Sequence, residues 1–121
     1  PIRYIVDDAQ KFLAREARRE SVYDAIFMDP PAFGRGPEGE IWKFDEHLPK
    51  LLAQCAQVLN KEHGMLLVNA YSLGYPALAI ENMIKSVIPW NVEMMSVELT
   101  LQEQNDRKFL LPTGVVVRVV W

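Results

Sequence analysis

The sequence predicts an α/β domain with a mostly parallel sheet and an antiparallel strand pair at its C-terminal end. Three observations predict it. Short apolar runs alternate with segments whose apolar residues recur every third or fourth position. The runs Tyr23–Met28 and Met65–Ala70 are almost wholly apolar, as expected of strands covered on both faces. The last two β-favouring stretches follow one another with no helical segment between them.

Taken in order, Ile2–Val6 is a short apolar run and is expected to be a strand. Asp7-Asp8 ends it, and either acid can cap the helix after it. Ala9–Arg19 places Phe12, Leu13 and Ala17 at helical spacing, with Arg15, Arg18 and Arg19 near the end, where cations suit the dipole. Those arginines are expected to be a solvated face rather than an RNA patch. Tyr23–Met28 is the second strand. Residues 29–44 form a long loop with three glycines and three prolines, and loops of that length are usually functional or mobile.

Asp45 is expected to cap a helix carrying Leu48, Leu51, Leu52, Cys55, Ala56 and Leu59 as its apolar stripe, with Pro49 in its first turn. Cys55 lies on that stripe and is expected in the core. His63-Gly64 ends the helix, Met65–Ala70 is the third strand, and 71–76 is its exit loop. Pro76 starts a helix over Ala77–Val87, with Leu78, Ile80, Met83, Ile84 and Val87 inward. Trp90–Leu101 alternates with imperfect period two and is expected to be a strand, and the pair Met94-Met95 is expected in the core. Lys108–Pro112 and Val115–Trp121 flank a turn at Pro112-Thr113-Gly114. The β-α-β part demands right-handed crossovers, with helices on both faces of the sheet.

At 121 residues, half of them apolar, one domain is expected, residues 1–121. Thirteen basic and 16 acidic side chains leave a net charge of −3, which gives no electrostatic footprint for nucleic acid on this segment. A nucleic-acid substrate held by a basic surface elsewhere stays compatible. The single cysteine excludes an internal disulfide. His47 and His63 have no ligand spacing around them, so no metal site is expected. No apolar run approaches the roughly 18 residues of a membrane span, and no signal peptide is visible, so a cytoplasmic enzyme domain is expected. The chain begins at Pro1, just before a strand-like run, and is expected to be a piece of a longer protein.

The most informative stretch is Asp29-Pro30-Pro31-Ala32-Phe33-Gly34-Arg35, which leaves the Tyr23–Met28 strand directly. Proline fixes φ and donates no N–H, and a residue before proline is held extended. Asp29 and the Pro30 carbonyl are therefore rigid acceptors at a strand's carboxyl end, where open α/β sheets bind ligands. With Phe33 they can accept hydrogen bonds from a flat, amine-bearing group and stack on it. The same string can also serve as a stiff turn closing a βα unit. Phe33 can instead plug the loop, Arg35 can pair with Glu38 or Glu40 or contact a phosphate, Tyr71 can wall a pocket or simply end its strand as an aromatic, and Trp42 is expected to anchor the loop.

These residues resemble the C-terminal half of the class I S-adenosylmethionine-dependent methyltransferases, a Rossmann-like fold whose last strand is inserted antiparallel. Val6-Asp7-Asp8-Ala9 with Phe12 and Leu13 resembles the motif after that family's third strand. Tyr23–Phe33 resembles its fourth motif. The string through Gly34-Arg35-Gly36 is most similar to bacterial ribosomal-RNA methyltransferases with a DPPxF motif, related to the cytosine-C5 group. The resemblance implies S-adenosylmethionine as cofactor, with Asp8, Ala9 and Asp29 binding it. The residues' own chemistry points to Asp29, Pro30 and Phe33 in catalysis, and to Pro31, Arg35 and Tyr71 against the substrate.

Two family features have no counterpart. The glycine-rich loop after the first strand and the ribose-binding acid after the second are missing, so this segment alone is expected to bind cofactor weakly. The cysteine that the C5 branch carries after its fifth strand is replaced by Asn69-Ala70-Tyr71-Ser72. Methylation of an exocyclic amine needs no such nucleophile. The expectations are an RNA-directed methyltransferase, RNA contacted mainly outside this segment, and association through a bare sheet edge. A non-catalytic scaffold of the same shape, or a small-molecule or protein methyltransferase, is the alternative.

Overall fold

The computed structural model describes residues 1–36, 39–71 and 74–121. Nine elements follow in the order α1 (Ala9–Arg18), β1 (Ala25–Met28), β2 (Phe33–Arg35), β3 (Ile41–Lys43), α2 (Phe44–Val58), β4 (Met65–Ala70), α3 (Ala77–Val87), β5 (Glu93–Gln102) and β6 (Leu110–Val120). Asp8 is the cap of α1, its carboxylate accepting from the Lys11 N–H at 2.8 Å. Arg15 reaches back to Asp7 at 2.6 Å, and that ion-paired hydrogen bond holds the Asp7 carboxyl below its ordinary value.

The main sheet has the order β1-β4-β6-β5. β1 pairs parallel with β4, and β6 pairs antiparallel with both β4 and β5. Three strands therefore run one way, and the last strand of the chain is inserted between β4 and β5 against them. This is the mostly parallel α/β arrangement with a C-terminal antiparallel pair that the sequence predicts.

All three helices pack on one face. Leu13 of α1, Leu48, Leu52 and Cys55 of α2, and Ile80 and Ile84 of α3 share one core with Leu66, Val68 and Ala70 of β4 and Val117 and Val119 of β6. The expectation of helices on both faces is corrected here. The right-handed crossovers from β1 to β4 and on to β5 step in the same direction along the sheet, which places α2 and α3 on one side, and α1 joins that side by packing against α2. The opposite face carries Phe27, Met95, Val97 and Leu99, all exposed, with Phe27 at 65%. Met94 packs on the core and Met95 does not, so that pair is split by strand alternation. Leu78, expected inward, is exposed on α3.

Four further expectations are corrected. Ile2–Val6 forms no strand, and Val6 is fully exposed at 106%. Its β propensity is intact, but a strand needs a ladder partner, and among the described residues none pairs with it. Residues 29–44 are not structureless, because β2 and β3 form an antiparallel hairpin pairing Phe33 with Lys43 and Gly34 with Trp42. α2 starts at Phe44, so Asp45 is not its cap but lies in its first turn, and Pro49 falls inside the helix. No turn interrupts 110–120. Gly114, at φ +150°, sits in one continuous strand beside a register shift at Leu99/Thr100, the bulge that Pro and Gly often mark within a strand. A Cβ on Gly114 would meet the Ala70 carbonyl oxygen at 2.7 Å, which explains the glycine.

Candidate active site

β1 ends at Met28, opposite Val68 of β4. The next residue on each strand, Asp29 and Asn69, therefore lies at the same level on the carboxyl rim of the sheet. Alternation puts both on the side away from the helices, as it does Phe27 and Leu67. Asn69 Nδ2 donates to Asp29 Oδ1 at 2.6 Å. Asp29 itself is exposed.

Beyond Asp29 the loop is tied down at successive residues. Pro30 is buried and Pro31 exposed. The Pro31 carbonyl accepts from Trp42 Nε1 at 2.7 Å, and the Ala32 carbonyl accepts from the Phe44 N–H at 3.1 Å. The buried Phe44 ring lies 5.4 Å from that of Tyr75. Trp42 is thus the loop anchor expected from the sequence. Phe33 opens the hairpin with 53% of its surface exposed, and the Arg35 guanidinium lies 5.9 Å from its ring centre, a cation–π distance. Phe33 is no core plug. Glu40 faces Lys11 at 3.7 Å, and Glu38, the other acid expected near Arg35, lies outside the described residues.

Asp8 and Arg35 line one crevice of about 600 Å³ between α1, the hairpin and α2, together with Lys11, Ile41, Trp42 and Lys50. Asp29 does not line that crevice. Ala9 faces a smaller apolar pocket of about 330 Å³ with Phe12, Ile26 and Phe27. Tyr71 lies in a third, of about 590 Å³, with Tyr75, Thr113 and Gly114. The structure thus gathers Asp8 with Arg35, Asp29 with Asn69, and Tyr71 with the β6 bulge, in separate places.

Cys55 is buried on α2, and burial pushes its thiol up to about 12. It is a core residue without thiolate character near neutral pH. Ser72 lies outside the described residues. Asn69 is the residue that sequence reasoning missed; its signal was one amide inside an apolar strand, a residue type depleted there.

No family model and no curated protein matches the chain. Solved structures do. The crystal structure of the S-adenosylmethionine-dependent methyltransferase from Agrobacterium tumefaciens is 35% identical, with a TM-score of 0.87, over 98% of this chain and 39% of that one. A candidate methyltransferase in complex with SAH (S-adenosylhomocysteine) matches at 19% identity and TM-score 0.67, over 95% of this chain and 30% of that one. The complex of M1.HpyAVI with SAM matches at 14% and 0.60, over 96% and 53%. The chain thus spans about two fifths of the length of the Agrobacterium structure. It has the Rossmann-like fold of the class I S-adenosylmethionine-dependent methyltransferases.

Proposed function

We propose that these residues are the C-terminal portion of the catalytic domain of an S-adenosylmethionine-dependent methyltransferase, acting on an exocyclic amine of an RNA base, in the first place ribosomal RNA. The observation that carries this reading is the rim itself. A proline-locked loop holds Asp29 at the end of β1 with an exposed aromatic ring beyond it. The 35% identity to the Agrobacterium methyltransferase, over nearly all of this chain, supports it.

S-adenosylmethionine supplies an electrophilic methyl group on a sulfonium when bound. Asp8 and the Ala9 N–H would hold its adenine. The first N–H groups of a helix lack intrahelical partners, which suits an adenine edge; Asp8 borders a crevice lined by Ile41 and Trp42 together with Lys11, Arg35 and Lys50, and Ala9 borders the neighbouring apolar pocket. The described residues include no glycine-rich strand-to-helix turn for the ribose and methionine ends, so a further segment would supply one.

Asn69 engages Asp29 Oδ1, which leaves Oδ2 to accept a hydrogen of the amine and to take the released proton, directly or through water. The Pro30 carbonyl is the second acceptor. The Pro31 carbonyl is engaged by Trp42, so Pro31 offers the substrate its exposed ring. Phe33 would stack on a base splayed from its strand, Arg35 would meet a phosphate, and Tyr71 would wall the separate pocket beside the β6 bulge. Placement of the amine at near-attack distance from the methyl carbon does most of the catalytic work. With a net charge of −3 on these residues, most of the RNA contact would come from outside them. The bare strand edges would associate with a second chain. The protein would work in the cytoplasm; no helix among the described residues is long and apolar enough to cross a membrane.

Calorimetric titration of the full-length gene product with S-adenosylhomocysteine tests this reading. Saturable binding of one molecule per chain is expected. A folded protein that binds none would leave only a non-catalytic scaffold of methyltransferase shape.

A further inference from the structure

Asn69 breaks the pattern of its strand. Its neighbours in Met65–Ala70 are all apolar, and asparagine is depleted in strands. A carboxylate only accepts hydrogen bonds, so the amide nitrogen must face Asp29 and the amide oxygen must face away. There Oδ1 is closed off from solvent and has no hydrogen-bond partner among the described residues. A buried acceptor left unpaired destabilises a fold. Asp29 is exposed and would be hydrated without Asn69, so the pair does not rescue a buried charge. Stability therefore does not account for an amide at this position. An aliphatic side chain would pack instead against Val116, its register partner on β6.

We infer that Asn69 is a positioning residue for methyl transfer. It fixes the Asp29 carboxylate in one orientation at the sheet rim, so that the remaining oxygen faces the substrate amine, and it does so at the expense of a buried oxygen that is unsatisfied among the described residues. Functional sites are where sequences break such local rules. The inference rests on the methyltransferase reading above.

The test is Asn69→Val in the full-length gene product, assayed with methyl-labelled S-adenosylmethionine and deproteinised ribosomal RNA, with urea unfolding measured alongside. The unfolding midpoint is expected to hold or rise. The turnover number should fall by about 100-fold, the scale of a misplacement of about 1 Å, while affinity for S-adenosylhomocysteine is kept. A midpoint that falls together with activity would show a structural role and overturn the inference. Wild-type turnover in the variant overturns it and leaves the methyltransferase reading standing. An inert wild-type protein overturns both.

Discussion

Glu16 shows what a buried acid needs in this fold. It is the one buried charged residue among those described, and it accepts from the Tyr23 hydroxyl at 2.7 Å and from Arg19 at 3.0 Å. The Tyr23 hydrogen bond, helped by Ser21 and Arg19, holds the Glu16 carboxyl below its ordinary value against the opposing effect of burial. The same bond, with burial, raises the Tyr23 hydroxyl. A depressed carboxyl contributes stability above its unfolded pKa, about 4.3, and loses it as pH falls through the folded value. A raised phenol contributes below about 10 and loses it as pH rises. Glu16→Gln is therefore expected to lower the urea midpoint near neutral pH and to flatten its fall on the acid side. An acid limb as steep as wild type's would contradict the assigned pairing. Asp29 stands in contrast: it is exposed, held by one amide, and its surroundings suit orientation rather than burial. Its place at a strand end was legible, because Pro-Pro and Phe33 come after it within four residues. Asn69 was not, since its contact spans 40 positions and one amide carries no period.

Among the elements with long apolar periods, β4 and α3 occupy the expected spans and α1 ends one residue early, but α2 stops at Val58, short of the His63-Gly64 end expected for it. The hairpin was not. β2 and β3 have three residues each, with Gly34 central in one, too short for a period-two signal. Their pairing is sustained by Trp42 on Pro31 and by the Phe44 N–H on Ala32, contacts made only in the folded loop. Ile2–Val6 failed in the opposite sense. Its composition favours a strand, but pairing is a tertiary property. Pro112-Thr113-Gly114 was expected to turn because Gly and Pro punctuate turns. In the fold Gly114 instead lets β6 approach the Ala70 carbonyl.

Over the whole molecule, direction of crossover decides the layering. Strands that step one way gather α2 and α3 on one face, where α1 packs on α2, and leave Phe27, Met95, Val97 and Leu99 uncovered on the other. β1 and β5 stand at the two edges of the sheet, their outer ladder groups unpaired among the described residues. Exposed apolar edges of this kind pair with other chains. The 121-residue segment alone is expected to sediment as a concentration-dependent dimer or larger species, and Val97→Lys on β5 to shift it toward monomer. A monomer at all concentrations would argue against edge association.

The most direct measurement is methyl transfer by the full-length gene product carrying Asp29→Ala, with labelled S-adenosylmethionine and ribosomal RNA. The rim geometry predicts a near-complete loss of turnover with an unchanged circular dichroism spectrum. Wild-type rates in that variant would contradict a chemical role for the carboxylate at the end of β1.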